Sequence, residues 1–303
     1  MYFTQKTISL KETVHLCKNL RVICDAHFSY AGKIPSAIQP RIVSCLKPIH
    51  ITQALEQKGI VGIVTTEDLK VSVPEGMGLA ISDVPLECIY TIHEYLCNIP
   101  DFHWQSFKSR IDPTAFVSST AYIAENDVVI GPFSYIHPNA TILPRSVIGS
   151  HCAVGSGTVI GADAFEVNKM KPQREILKQA GGVILQDHVE IQSLCTVVRS
   201  TFGGFTVIGA ETKLDCHIHV AHDCQIGKKV QIAACAELSG RVSVGDNTFI
   251  GPNSTISNGI TIGDNSHITL GSVVTDDVES NSRVSGNFAI KHSKFLRFIR
   301  GIR

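Results

Sequence analysis

The densest group of chemically competent side chains is Lys213-Leu214-Asp215-Cys216-His217-Ile218-His219-Val220-Ala221-His222-Asp223. Two chemistries suit that spacing. His-x-His-x-x-His offers three imidazole nitrogens to a metal ion, provided that they converge. His222 followed by Asp223 offers instead a single general base, with an adjacent carboxylate to orient the ring and stabilise the imidazolium. The element that carries the segment decides between them, because a metal needs convergent ligands and a base needs only one neighbour.

That element is a repeat. Ile208, Leu214, Val220, Ile226, Ile232, Leu238, Val244, Ile250, Ile256, Ile262, Ile268 and Val274 recur at a step of six. An earlier run is Ile130, Ile136, Ile142, Ile148, Val154 and Ile160, and a third, shifted by one, is Ile111, Val117 and Ile123. Neither the 3.6-residue period of a helix nor the alternation of an ordinary strand produces this. A period of 18 lies over it: Gly209, Gly227, Gly245 and Gly263, and earlier Gly131 and Gly149. Three hexapeptides therefore close one coil, with the glycines expected at corners that need freedom in φ. Successive coils pair as parallel strands about 4.8 Å apart, and the aliphatics point inward. The pattern predicts a β-helix of triangular section.

This register bears on the cluster. Val220 faces inward and Ile218 takes the other apolar position, so His217, His219 and His222 leave the coil on different flanks, and no metal site is expected. His222 follows the core residue Val220 by two. One coil on, at a step of 18, lies Gly240, whose N–H can face a developing oxyanion beside the imidazole. A base and an oxyanion donor are the minimum for acyl transfer to an amine. The plain alternative is a solvated corner histidine.

The remainder of the chain sets the context. Its 303 residues are 44% apolar and 18% charged, with 27 basic against 27 acidic side chains, which excludes general disorder and general nucleic-acid binding. No apolar run approaches the length of a membrane span, Met1 to Lys6 lacks the apolar core of a signal peptide, and ten scattered cysteines form no CxxC pair. A cytoplasmic protein with reduced thiols is the expectation. Residues 1–108 read as a small α/β domain, with strands at 60–65 and 78–82 and helices at 51–57 and 86–97. Residues 109–286 carry the repeat, broken once by a charged loop at 165–182. In 287–303, Lys291, Lys294, Arg297, Arg300 and Arg303 recur every third residue among apolar ones, with no acid after Glu279. This reads as a short basic helix that meets an acidic protein or a membrane surface, or packs on a neighbouring subunit.

The repeat resembles that of the left-handed β-helix acyltransferases, a family of trimers with active sites between subunits. Within it, nearly the whole chain resembles the UDP-3-O-acylglucosamine N-acyltransferase family of lipid A synthesis. The stretches that carry the resemblance are Ser156-Gly157-Thr158-Val159-Ile160-Gly161-Ala162-Asp163-Ala164-Phe165, Asp187-His188-Val189-Glu190-Ile191, Thr206-Val207-Ile208-Gly209, and Lys213-Leu214-Asp215 leading into Val220-Ala221-His222. Gly62 to Leu69 with Val73-Pro74-Glu75-Gly76 is similar to its nucleotide-binding domain. The resemblance implies a homotrimer, a nucleotide-linked amino sugar as acceptor and a thioester as donor. It implies no bound cofactor. It gives His222 the role of base and the Gly240 amide that of oxyanion donor, with Asp223 beside them. Asp215, Arg199 and Phe165 become candidates for acceptor contacts.

The chain also departs from that pattern. The family holds uridine with a Phe and an Asn ahead of Pro-Lys-Tyr, whereas Arg41-Ile42-Val43-Ser44-Cys45-Leu46-Lys47-Pro48 has no aromatic, so that stacking contact is not expected. Val197-Val198-Arg199-Ser200 replaces Ile-Asp-Arg-Gly, and the family's later histidine has no counterpart near Asn258-Gly259-Ile260. Only 16 residues follow Asn287, fewer than the family's carrier-protein-binding end. Gly271 to Val278, Val284-Ser285-Gly286-Asn287 and the His222-Asp223 pair are similar to short-chain sugar acetyltransferases that use coenzyme A. Acyl carrier protein and coenzyme A both stand as donors, with a non-catalytic nucleotide-sugar-binding solenoid as the alternative from another class.

Overall fold

The computed structural model describes residues 6–286 and 289–302. Residues 1–5, where the leader reading falls, Asn287 of the closing motif and Arg303 of the basic tail lie outside them. The repeat forms a left-handed parallel β-helix of three sheets with eight, eight and nine strands. Between Ile208 and Val274 paired residues lie 18 positions apart, as in Ile208↔Ile226, Ile226↔Val244 and Leu238↔Ile256, and across the two breaks in the repeat the step lengthens to 37 and 23, as in Ile148↔Leu185 and Leu185↔Ile208. The every-sixth aliphatics from Ile130 to Ile160 and from Ile208 to Val274 are buried in one continuous core. Val117 and Ile123 pack against it from the first coil, and Ile111 is left exposed at the open end.

The stacked glycines do a different job from the one expected. None of Gly131, Gly149, Gly209, Gly227, Gly245 and Gly263 has a positive φ. A Cβ on Gly209 would stand 2.3 Å from the Gly227 carbonyl oxygen, and one on Gly227 would stand 2.8 Å from the Gly245 carbonyl carbon. They are glycines because adjacent coils leave no room for a side chain. The left-handed corners fall elsewhere, at Asp223 (φ 62), Lys229 (φ 55), Cys235 (φ 60), Arg241 (φ 63) and Asn247 (φ 56). Polar residues tolerate that conformation best among non-glycines.

Before the coil, a five-stranded sheet runs in the order Arg21–Cys24, Gly78–Ile81, Ile60–Thr65, Arg41–Ser44, Tyr30–Gly32, with only the Arg21–Cys24 edge antiparallel. Helices α1 (Pro48–Glu56) and α2 (Pro85–Asn98) cover it, each opened by a proline whose missing N–H costs a helix start nothing. Its core is not self-contained: Leu177 and Phe202, both from the coil's excursions, are buried in it beside Ile89 and Ile92. Helix α3 (His292–Ile302) follows the last strand, Arg283–Val284.

Candidate active site

The site lies on one edge of the prism, where the chain leaves the sheet holding Val197, Val220 and Leu238 for the sheet holding Ile208, Ile226 and Val244. At an undisturbed corner, six residues separate the two inward positions. From Ile160 to Leu185 the separation is 25, and from Val197 to Ile208 it is 11. Both excursions therefore leave at the corner that His222 occupies one or two coils later. The longer one holds a hairpin, Val167–Asn168 with Glu175–Ile176, where the sequence predicts a loop. The shorter, around Ser200–Gly204, has no signature beyond its broken spacing.

His222 is buried, and its Nδ1 lies 2.7 Å from Asp223 Oδ2. With Nδ1–H donating to the carboxylate, Nε2 keeps its lone pair as a base. Asp223 is fixed in turn. Its own amide donates to Thr206 Oγ1 at 2.9 Å, and Ser200 Oγ donates to Oδ1. The other face of the ring meets Gly240, where a Cβ would stand 2.5 Å from Nε2 and 3.0 Å from Asn258 Nδ2. Among the described residues, no acceptor takes the Gly240 amide. His222, Gly240 and Asn258 thus form a column with one residue per coil.

A second layer closes over the column. Glu166, at the base of the long excursion, accepts from Tyr90 Oη at 3.1 Å and pairs with Lys33 Nζ at 3.3 Å and Arg241 Nη1 at 3.6 Å. Burial on its own would raise the Glu166 carboxyl, but Lys33 and Arg241 outweigh it and hold the pKa below the ordinary value. Burial and the Glu166 charge push Tyr90 up. Arg241 donates from Nη2 to Asn258 Oδ1 at 3.2 Å. Beside it opens a cavity of about 500 Å³, bounded by Pro35, Ser36, Asp223, Arg241, Gly259 and Thr261. The α/β region and the coil both contribute walls.

Sequence-expected acceptor residues are distributed unevenly. Arg199 is on the same edge, held by Gly161 O at 3.0 Å and Asp163 Oδ1 at 2.8 Å, and burial lowers its pKa. Phe165 stands beside Glu166 but is 85% exposed. Asp215 follows Leu214 on a different edge, where its carboxylate accepts from the Cys216 and Ala234 amides. Arg41, in the stretch set against the family's uridine contacts, is wholly buried and donates to the carbonyls of Lys33, Ile34, Ile38 and Lys58, so it serves the fold. His217 is exposed, His219 half-buried and His222 buried, and among the described residues no group of three or more His, Cys, Asp or Glu is gathered as a metal would need. Sequence reasoning missed Glu166, Ser200, Arg241, Lys33 and Tyr90 as site residues. The step of 18 that finds Gly240 from His222 also leads from Asp223 to Arg241, and from Gly240 to Asn258.

Two stretches of the coil match hexapeptide-repeat models: the "bacterial transferase hexapeptide (six repeats)" model matches residues 127–162, and the "hexapeptide repeat of succinyl-transferase" model matches 241–276. More particularly, it is similar to proteins named UDP-3-O-acylglucosamine N-acyltransferase. It is 37% identical to that of Hahella chejuensis over 116 residues, which is 38% of this chain and 33% of the relative. To that of Coxiella burnetii it is 36% identical over 150 residues, 43% of each. The chain thus spans well under half the length of the curated relatives it matches, and the match is shorter than the resemblance in sequence leads one to expect. Among solved structures, UDP-N-acetylglucosamine acyltransferase from Campylobacter jejuni aligns with a TM-score of 0.46 and 23% identity, over 63% of this chain and 82% of that one.

Proposed function

We propose that the protein is a sugar N-acyltransferase that moves an acyl group from a thioester to the amine of a nucleotide-linked amino sugar. The observation that carries the reading is the His222 imidazole, oriented through Nδ1 by Asp223 and set with Nε2 against Gly240. His222 Nε2 takes a proton from the acceptor amine as its nitrogen attacks the thioester carbonyl. The new C–N bond leaves an oxyanion, which accepts from the Gly240 N–H. Collapse breaks the C–S bond, and the departing sulfur takes the proton from the imidazolium, which Asp223 has stabilised. No metal enters the scheme.

The α/β region, residues 1–108, holds the nucleotide side of the acceptor against the cavity beside Arg241 in this reading, with Arg199 and Phe165 nearby. Asp215 lies on another edge and contributes from a neighbouring subunit of a homotrimer. The assembly works in the cytoplasm; among the described residues no helix is long and apolar enough to cross a membrane. Intact-mass measurement of transfer tests the proposal, with a UDP- or dTDP-linked amino sugar offered alongside an acyl carrier protein thioester or a coenzyme A thioester. Mass gain on the sugar from either donor supports it. Transfer from the carrier protein alone gives the lipid A type of chemistry, and transfer from a short-chain coenzyme A thioester gives a surface-sugar enzyme. Tight nucleotide-sugar binding without thioester cleavage by any donor would replace both with a binding solenoid.

A further inference from the structure

We propose that helix α3 is an interfacial anchor that lays the protein on an anionic lipid surface. The proposal stands on the helix alone and is independent of the acyl-transfer reading. At about 100° per residue, Phe295, Phe298 and Ile299 gather on one side of α3 with Leu296 at its margin, and Lys294, Arg297 and Arg300 occupy the opposite side. The apolar side is uncovered: Phe295 is 47% exposed, Leu296 40%, Phe298 62% and Ile299 36%. Among the described residues, α3 is tied to the rest of the chain only through the carbonyl of Lys291 directly ahead of it, which accepts from the Lys294 and Phe295 amides.

The division of the two faces selects the partner. A protein groove that buried the phenyl rings would leave the three cations in water on the far side. An acidic groove that took the cations would leave the rings in water. A lipid interface satisfies both at once, because the rings enter the acyl boundary while the long Lys and Arg stems reach back to the phosphates. Eleven residues make a helix about 16 Å long, too short to cross a hydrocarbon core of about 30 Å, so it lies in the plane. Without the five basic residues from Lys291 onward, the chain has 22 basic against 27 acidic side chains. An anionic surface therefore repels the body and attracts only this end.

Co-sedimentation of the full chain with vesicles tests this, using phosphatidylcholine alone and phosphatidylcholine mixed with phosphatidylglycerol. The chain is expected to pellet with the mixed vesicles, to stay largely in solution with phosphatidylcholine, and to be released by added salt. Arg297→Ala lowers the partition roughly fivefold, and Phe298→Glu abolishes it. Phe298→Trp gives an emission shift to the blue with the mixed vesicles only. The side chains are exposed, so folding does not confound the variants. Failure of the chain to pellet with anionic vesicles overturns the proposal, as does equal pelleting of parent and both variants. It also falls if Phe298→Glu dissociates an assembly in sedimentation velocity without lipid, since α3 is then a subunit contact. Capture of an acidic carrier protein by α3 without any lipid binding is equally fatal.

Discussion

His222 and Gly240, 18 residues apart in sequence, are in such close contact that a methyl group on Gly240 would stand 2.5 Å from the imidazole Nε2. Gly240 has no positive φ, so its backbone accepts alanine without strain. Gly240→Ala is therefore expected to fold normally and to displace the ring, lowering kcat at least about tenfold. His222→Ala removes the base and lowers kcat about 10²–10⁴-fold. Steady-state kinetics on both, with oligomeric state checked alongside, test the assignment. Near-normal turnover in His222→Ala rejects the role.

Glu166 is the point where the α/β region, the long excursion and the coil meet. Its replacement by Gln leaves Lys33 and Arg241 facing a neutral amide. The expected cost is about 1–3 kcal/mol of stability in denaturant titrations. Lys33→Met in the same background recovers part of it, since the two effects are coupled. The acceptor KM rises severalfold while the donor KM holds, because Arg241 of this network lines the cavity. The Glu166 carboxyl has a lowered pKa in the folded state, so its contribution is complete above the ordinary 4.5 and disappears as pH falls through the folded value. Glu166→Gln lacks that acid-labile part. An unchanged acid-denaturation profile in the variant contradicts the network.

A further pH dependence lies in the α/β region. His103 stacks on Tyr30 with ring centroids 5.3 Å apart, and burial lowers its pKa to about 3 from the ordinary 6.5. Burial lowers His93 too. The unfolded chain takes up protons on these rings first, so stability is full above 6.5 and declines as pH falls toward 3. His103→Phe keeps the stacking and removes one proton site. Its thermal midpoint is expected to fall less over that interval than that of the parent, and parallel curves would rule His103 out.

The coil's glycines give a prediction that separates close contact from the conformational cause their spacing first suggests. Gly227→Ala places a Cβ 2.5 Å from Asp246 Oδ1 and 2.8 Å from the Gly245 carbonyl carbon, and overpacking of this kind costs about 1–3 kcal/mol. Asn247, with φ 56, sits where glycine is at home, and Asn247→Gly is expected to lie within about 1 kcal/mol of the parent. Thermal midpoints of the two variants decide it; equal losses would return the glycines to a conformational role.

The coil was legible because one residue in six reports on it. Hydrophobic period identifies inward positions, and a step of 18 identifies vertical neighbours, which is enough to bring His222, Asp223 and Gly240 together on paper. Step counting fails where the chain leaves the coil. Glu166 reaches Arg241 only because the excursion folds back over the edge, and Lys33 and Tyr90 arrive from a sheet whose docking no local pattern encodes. Ser200 was hidden by a shorter break in spacing, from Val197 to Ile208, that sits outside both periodic runs. The glycine error has the same root. Period marks which positions are equivalent, but whether a position lacks a side chain for its φ or for the neighbour above it depends on three-dimensional contact.

Functional groups on this edge come in rungs about 4.8 Å apart, because each coil supplies one residue per position. His222 and Asn258 are two rungs apart, about 10 Å along the axis at the backbone. A molecule that engages both is measured in whole rungs. Shifting a contact to fit a longer molecule means changing a residue 18 positions away, with the inward aliphatics untouched. Intermediate spacings are closed to substitution and open only to an excursion, such as the one that delivers Glu166. The edge therefore works as a graduated scale for its ligand, with coarse marks set by the repeat and fine adjustment left to the two loops.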